Sequence, residues 1–242
     1  RLSRKLGLHR LDSSFDSAFG RTRDVREPHE FGYFWNAHLR YPDLRERAPG
    51  HEETIDWSTL RRVLVNMAHV QGGPLAFKPM LLVWHLEAML REMPRTCYVW
   101  IRRDPVQTAL SLLSMRRALF GDETRWASLR PREPAWLDAE PPWRQVAAQV
   151  LLLERALEEA ASRLGPRHVL ALRYEDFCAD PGDALERIRA LLGTKGEAPP
   201  LRRAPAPFAQ RRSSLEAEYR ERVERALAEL PAELAAAEAG AP

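Results

Sequence analysis

Lysine is nearly missing from this chain. Among 37 lysine and arginine residues only Lys5, Lys78 and Lys195 are lysine. With so much alanine alongside, the arginine bias fits GC-rich coding, and Lys78 becomes the basic residue that stands out. Cysteine is scarce too. Cys97 and Cys178 form neither a disulfide framework nor a metal spacing, which points to a reducing, cytoplasmic setting. The seven histidines show no HxxxH spacing, so no metal is expected. No run of about 18 apolar residues is present, which excludes a membrane-spanning helix of the usual kind. No signal-peptide pattern and no internal repeat is visible. No GxxxxGK[ST] loop occurs, which removes the usual mark of a P-loop kinase. A net charge of +3 argues against a general nucleic-acid binder.

What is there suits one α/β domain. The 242 residues are 45% hydrophobic and 29% charged, enough for a real core. Short apolar segments at 74–79 (PLAFKP), 96–102 (TCYVWIR) and 168–174 (HVLALRY) read as strands. Each precedes a helical pattern, at 80–93, 105–120 and 181–193, and a long helix over 143–165 feeds the third strand. This alternation predicts a parallel sheet with helices on both faces. Residues 121–142, with Trp126, Trp136 and Trp143 at hand, read as a lid or surface loop. A Pro- and Arg-rich stretch follows over 194–212, then a closing helix over 213–230 with Ser213 and Glu216 at capping-box spacing. The domain is expected over 1–230, with 231–242 a frayed tail after Pro231. The chain opens on RLSRKLGLHRL, with Leu2, Leu6 and Leu8 at helical spacing and no initiator methionine. A domain seldom starts in mid-helix, so a fragment is expected.

The stretch IRRDPVQTALSLLSMRRA (101–118) is the sharpest local feature. A strand ends near Arg103, Asp104 suits the N-cap and Pro105 the first helical position. Ligands of parallel α/β sheets sit outside the carboxyl ends of the strands, which puts Arg103 on that rim. Ser111 lies eight residues on, about two helical turns. A guanidinium fork and a hydroxyl so spaced suit a phosphate. They are also ordinary parts of a strand-to-helix corner. Arg102 reads as a neighbour on the strand, and Arg116 and Arg117 as solvent-facing.

Three segments together resemble the sulfotransferase family that uses 3′-phosphoadenosine 5′-phosphosulfate. Arg103, Asp104, Pro105 and Ser111 match its 3′-phosphate segment position by position. VLALRYEDFCADPGDALERIRALLG resembles its later strand–helix unit, which implies that Tyr174 lies against the adenine. FKPM resembles its middle strand, which implies a catalytic Lys78 beside the bridging oxygen. EPHEFGYFW (27–35) is similar to the acceptor-side segment of bacterial members. The resemblance spans about residues 20–195 and implies a nucleotide-binding, P-loop-like fold. The family's first motif, an SGT-type loop on a strand that cradles the 5′-phosphosulfate, has no counterpart. The resemblance therefore implies a missing N-terminal strand and a chain that, by itself, can be inactive.

What the resemblance implies is a transferase moving a sulfuryl group to a hydroxyl or amine, on a small-molecule, glycan or peptide acceptor, with the nucleotide as co-substrate. The general base is expected among Glu27, His29 and Glu30, with Glu27 first. His85 reads as packed on its helix. Phe31, Tyr33, Phe34 and Trp35 suit either an acceptor pocket or the core. For the late basic segment on the 3′-phosphate, Arg202–Arg203 and Arg211–Arg212 are candidates, and Arg211 enters the site set. Two alternatives remain: a P-loop-type small-molecule kinase, and a non-catalytic interaction protein of the same fold.

Overall fold

The structure is a computed structural model, and it describes residues 17–18, 21–22, 30–194, 196 and 204–239. In chain order it carries a short antiparallel pair, β1 (Ser17–Ala18) and β2 (Arg21–Thr22), then α1 (Gly32–His38), α2 (Trp57–Gln71), α3 (Leu86–Glu92), β3 (Tyr98–Arg102) and α4 (Pro105–Phe120). The long α5 (Pro142–Leu164) leads to β4 (Val169–Arg173), α6 (Tyr174–Ala179), α7 (Pro181–Gly193) and α8 (Glu216–Ala239).

β3 and β4 are parallel and in register from Tyr98 opposite Val169 to Arg102 opposite Arg173. Their aromatic and aliphatic side chains suit a pleated surface. Both strands turn at once into helices with local start signals. Asp104 Oδ1 accepts the Gln107 amide at 2.8 Å, Asp180 Oδ1 accepts the Asp183 amide at 3.0 Å, and a proline follows each cap. The shared register therefore puts Arg103 and Tyr174, the next residue of each strand, side by side on the carboxyl rim.

Two apolar layers hold the helices. Ala109, Leu110 and Leu113 of α4 pack with Val146 and Val150 of α5 and with Tyr219 and Val223 of α8. Further along, Ala147, Ala148 and Leu152 meet Leu137, Ala226, Leu230 and Leu234. A separate core around Trp35, Leu39, Tyr41, Leu60 and Leu81 joins α1, α2 and the 3₁₀ turn Met80–Trp84.

Several expectations need correction. Residues 74–79 are not a strand: they pair with nothing among the described residues, and Pro74 and Pro79 bring no N–H to a ladder. The helix expected over 80–93 is split at His85 into a 3₁₀ turn and α3. Among the described residues, helices do not cover both faces of the β3–β4 sheet: Val99 and Ile101 are 38% and 50% exposed. The tail after Pro231 is helical to Ala239. Burial of Leu230 and Leu234, worth roughly 1.5–3 kcal/mol each, offsets the roughly 3 kcal/mol that a helix-interior proline costs. Residues 121–142 are packed rather than lid-like: Ala127, Leu129 and Leu137 are buried, and Trp126, Trp136 and Trp143 lie against the α5–α8 layer. Arg116 does not face solvent. It is fully buried, donating to Gln145 Oε1 at 2.7 Å and the Glu123 carbonyl at 3.1 Å, with its guanidinium 4.7 Å from the Trp126 ring centroid.

Candidate functional site

Arg103 leaves β3 at its carboxyl end, and its guanidinium lies over the Tyr174 ring, 4.8 Å from the centroid. Such a contact contributes about 0.5–2 kcal/mol, more as water is excluded. The Arg211 amide donates to the Tyr174 hydroxyl at 3.3 Å, and Arg103 Nη2 donates to the Arg211 carbonyl. Three residues far apart in sequence thus meet at one point on the rim. A further bond ties the two strand ends, from the Asp104 amide to Glu175 Oε1 at 3.2 Å.

The Pro- and Arg-rich stretch reaches this point by anchors along its length. The Phe208 amide donates to the Cys178 carbonyl at 3.0 Å, and the Phe208 ring meets Phe177 edge-on, 5.5 Å between centroids. Ser213 Oγ donates to the Leu110 carbonyl at 3.2 Å and lies 2.7 Å from Ser114 Oγ. Ser111 is half-buried on α4, one turn before Ser114. The stretch therefore runs beside the helix that carries Ser111. Arg212 Nη1 stands 3.8 Å from Glu216 Oε1, while Arg202 and Arg203 lie outside the described residues.

Beside Arg103 is a cavity of about 400 Å³, bounded by the end of β3, by α5, and by Pro231 and Leu234 of α8. Its lining residues include Arg102, Arg103 and Arg155 together with Glu154 and Glu158. Arg102, the last residue of β3, is engaged by Glu158 at 2.7 Å and Glu154 at 3.3 Å. Burial pushes the Glu154 carboxyl upward, against the pull of Arg102.

The second grouping involves Lys78. Its Nζ lies 2.5 Å from Glu30 Oε1, and the aromatics on either side lock the two segments together. Phe77 stacks on Phe34 at 6.4 Å and meets Phe31 and Trp35 edge-on at 6.1 and 5.3 Å. Phe31 holds φ 54° at the start of α1, a left-handed conformation that costs a bulky residue roughly 1–2 kcal/mol. Trp35 is core, 2% exposed, whereas Tyr33 is 96% exposed. Glu27 and His29 lie outside the described residues.

The Arg103 and Lys78 groupings share no residue and rest on different elements. Sequence reasoning missed Glu175, although it stands next to Tyr174 in the YED run, and it missed α8 as a wall of the cavity.

The arginine–tyrosine rim lies at parallel strand ends, where ligands of α/β sheets bind. The family comparison is more specific. A model of the sulfotransferase family matches residues 12–198, and the chain belongs to that family. Comparisons with curated proteins and with solved structures give no match.

Proposed function

We propose that the protein transfers a sulfuryl group from 3′-phosphoadenosine 5′-phosphosulfate to a hydroxyl or amine acceptor. The observation that carries this reading is the meeting of Arg103, Tyr174 and Arg211 at the carboxyl ends of β3 and β4. The donor set fits the nucleotide half of that co-substrate. Arg103 offers a planar fork to the 3′-phosphate, Ser111 and Arg211 add donors, and the Tyr174 ring gives the adenine an aromatic neighbour. Here Arg103 donates to the Arg211 carbonyl, so phosphate binding exchanges that neutral acceptor for a charged one, a stronger bond. The β3–β4 pair is read as part of a P-loop-like sheet.

Lys78 takes the catalytic role. When the acceptor oxygen or nitrogen attacks sulfur, the bond from sulfur to the 5′-phosphate breaks and negative charge builds on the departing phosphate. An ammonium at that oxygen stabilises the charge without forming a bond. The acceptor proton goes to a carboxylate. Glu30 is paired with Lys78 and is our choice among the described candidates; Glu27 remains the alternative. Separating Lys78 from Glu30 on binding would leave the carboxylate able to accept a proton and the ammonium able to meet the leaving group.

Calorimetric titration with adenosine 3′,5′-bisphosphate and with adenosine 5′-monophosphate tests the reading. Tighter binding of the bisphosphate is expected, and equal affinities would remove it. Among the described residues no helix is long and apolar enough to cross a membrane.

A further inference from the structure

The bonding between β3 and β4 continues past the ends of the strands. Tyr98 donates its amide to the His168 carbonyl at 2.7 Å, and alternate residues of a parallel strand share one bonding edge. Asp104 is in phase with Tyr98, so its amide is presented to the same side. By then β4 has ended at Arg173 and turned into α6. A side chain takes over from the strand: Glu175 Oε1 accepts the Asp104 amide at 3.2 Å.

Asp104 is held at its other polar groups as well. Its Oδ1 caps α4 through the Gln107 amide at 2.8 Å, and its carbonyl accepts the Thr108 amide and hydroxyl, each at 3.0 Å. On the other side of Arg103, the Arg102 side chain is engaged by Glu158 and Glu154. Arg103 therefore leaves the backbone between two anchored neighbours. Glu175 supplies the tie from one of them to the Tyr174 side. Its side chain is 22% exposed, and Arg173 Nε lies 3.9 Å from its second oxygen, Oε2. Glu175 follows Tyr174 directly, and the Tyr174 ring lies under the Arg103 guanidinium. One carboxylate thus links the backbone next to Arg103 with the residue next to Tyr174.

We propose that Glu175 is a positioning residue for the nucleotide site: it fixes the backbone at Asp104 so that the Arg103 guanidinium stands over the Tyr174 ring, set to receive a 3′-phosphate. The inference rests on the transferase reading and deepens it. Glu175 acts as a hydrogen-bond acceptor here and not through its charge. A carboxylate charge opposes a nearby phosphate, whereas an acceptor that holds Arg103 in place favours it. The two roles predict opposite effects when the side chain is deleted.

The test is calorimetric titration of the whole chain with adenosine 3′,5′-bisphosphate and adenosine 5′-monophosphate, in wild type, Glu175→Gln and Glu175→Ala, each checked for folding by circular dichroism. Glutamine keeps the oxygen acceptor and should hold the bisphosphate preference within about twofold of wild type. Alanine removes the acceptor and should cut that preference by about tenfold. A loss of stability alone would lower both affinities together and leave the preference in place. If the alanine variant does not fold, Glu175→Asp takes its place with the same expectation, since it keeps a carboxylate in the first turn of α6 and shortens the reach by one methylene. A preference that survives or rises on loss of the acceptor overturns the proposal, as does one lost equally in Glu175→Gln. In those cases the wild-type preference still stands, and only the role of Glu175 falls. A wild type without any preference removes the transferase reading, and this inference with it.

Discussion

Replacing Arg116 by alanine should be among the most damaging single changes outside the candidate site. The guanidinium is fully buried, and burial together with the nearby Arg130 charge lowers its pKa only to about 10, so it stays charged at neutral pH. Its shell is neutral: Gln145 Oε1 at 2.7 Å, the Glu123 carbonyl at 3.1 Å and Gln149 Oε1 at 3.5 Å. Truncation leaves these acceptors facing a void, at about 1–3 kcal/mol for each group left unsatisfied. It also removes the Trp126 contact, about 0.5–2 kcal/mol, while the recovered hydration of a buried cation subtracts several kcal/mol. The net expectation is a loss of about 3 kcal/mol. In urea this should lower the unfolding midpoint by about 1 M with the slope unchanged. Arg116→Met, which fills the void, should recover about 1 kcal/mol of that. An alanine variant within about 0.5 kcal/mol of wild type would refute the burial argument.

Other perturbations test separate parts of the account. Leu234→Ala should cost about 2–4 kcal/mol by urea unfolding if the helix packs through Pro231, since Leu234 is buried; a neutral effect would return that segment to a loose tail. His85 is held down at about 4 from 6.5, chiefly by burial. Between those values the unfolded chain binds more protons, so stability is full above pH ~6.5 and falls as pH drops through ~4, by on the order of 3 kcal/mol. His85→Gln should flatten this slope in urea titrations at stepped pH. Lys78→Met should leave bisphosphate affinity within about twofold of wild type and lower sulfuryl transfer by at least about a hundredfold, read as radiolabel passed to an acceptor; equal loss of both would make Lys78 a binding residue only.

Local chemistry was legible in the sequence, and tertiary context was not. Asp104–Pro105 and Asp180–Pro181 announce their helices because a cap is settled within one turn. The meeting of Arg103 with Tyr174 follows from two strands that end in register. The charge of Arg116 points to solvent, yet its position continues the stripe of Ala109 and Leu113 at helical spacing. Pro231 reads locally as a stop, while Val223, Ala226, Leu230 and Leu234 keep one apolar face across it. The strand expected at 74–79 has apolar residues but no ladder partner among the described residues, and pairing is a property of two segments. The burial of His85 against Tyr41 and His51 depends on residues 41–52 folding onto the turn after Lys78, which no local pattern reports.

The central claim is that Arg103 at the end of β3 holds the 3′-phosphate of the sulfuryl donor. Calorimetric affinities of wild type and Arg103→Ala for adenosine 3′,5′-bisphosphate and adenosine 5′-monophosphate test it most directly. The account predicts that wild type prefers the bisphosphate and that the variant loses about ten- to hundredfold of that preference, as expected for one charge-assisted contact of about 1.5–3 kcal/mol, with 5′-monophosphate binding unchanged. A preference for the bisphosphate that survives intact in Arg103→Ala would contradict it.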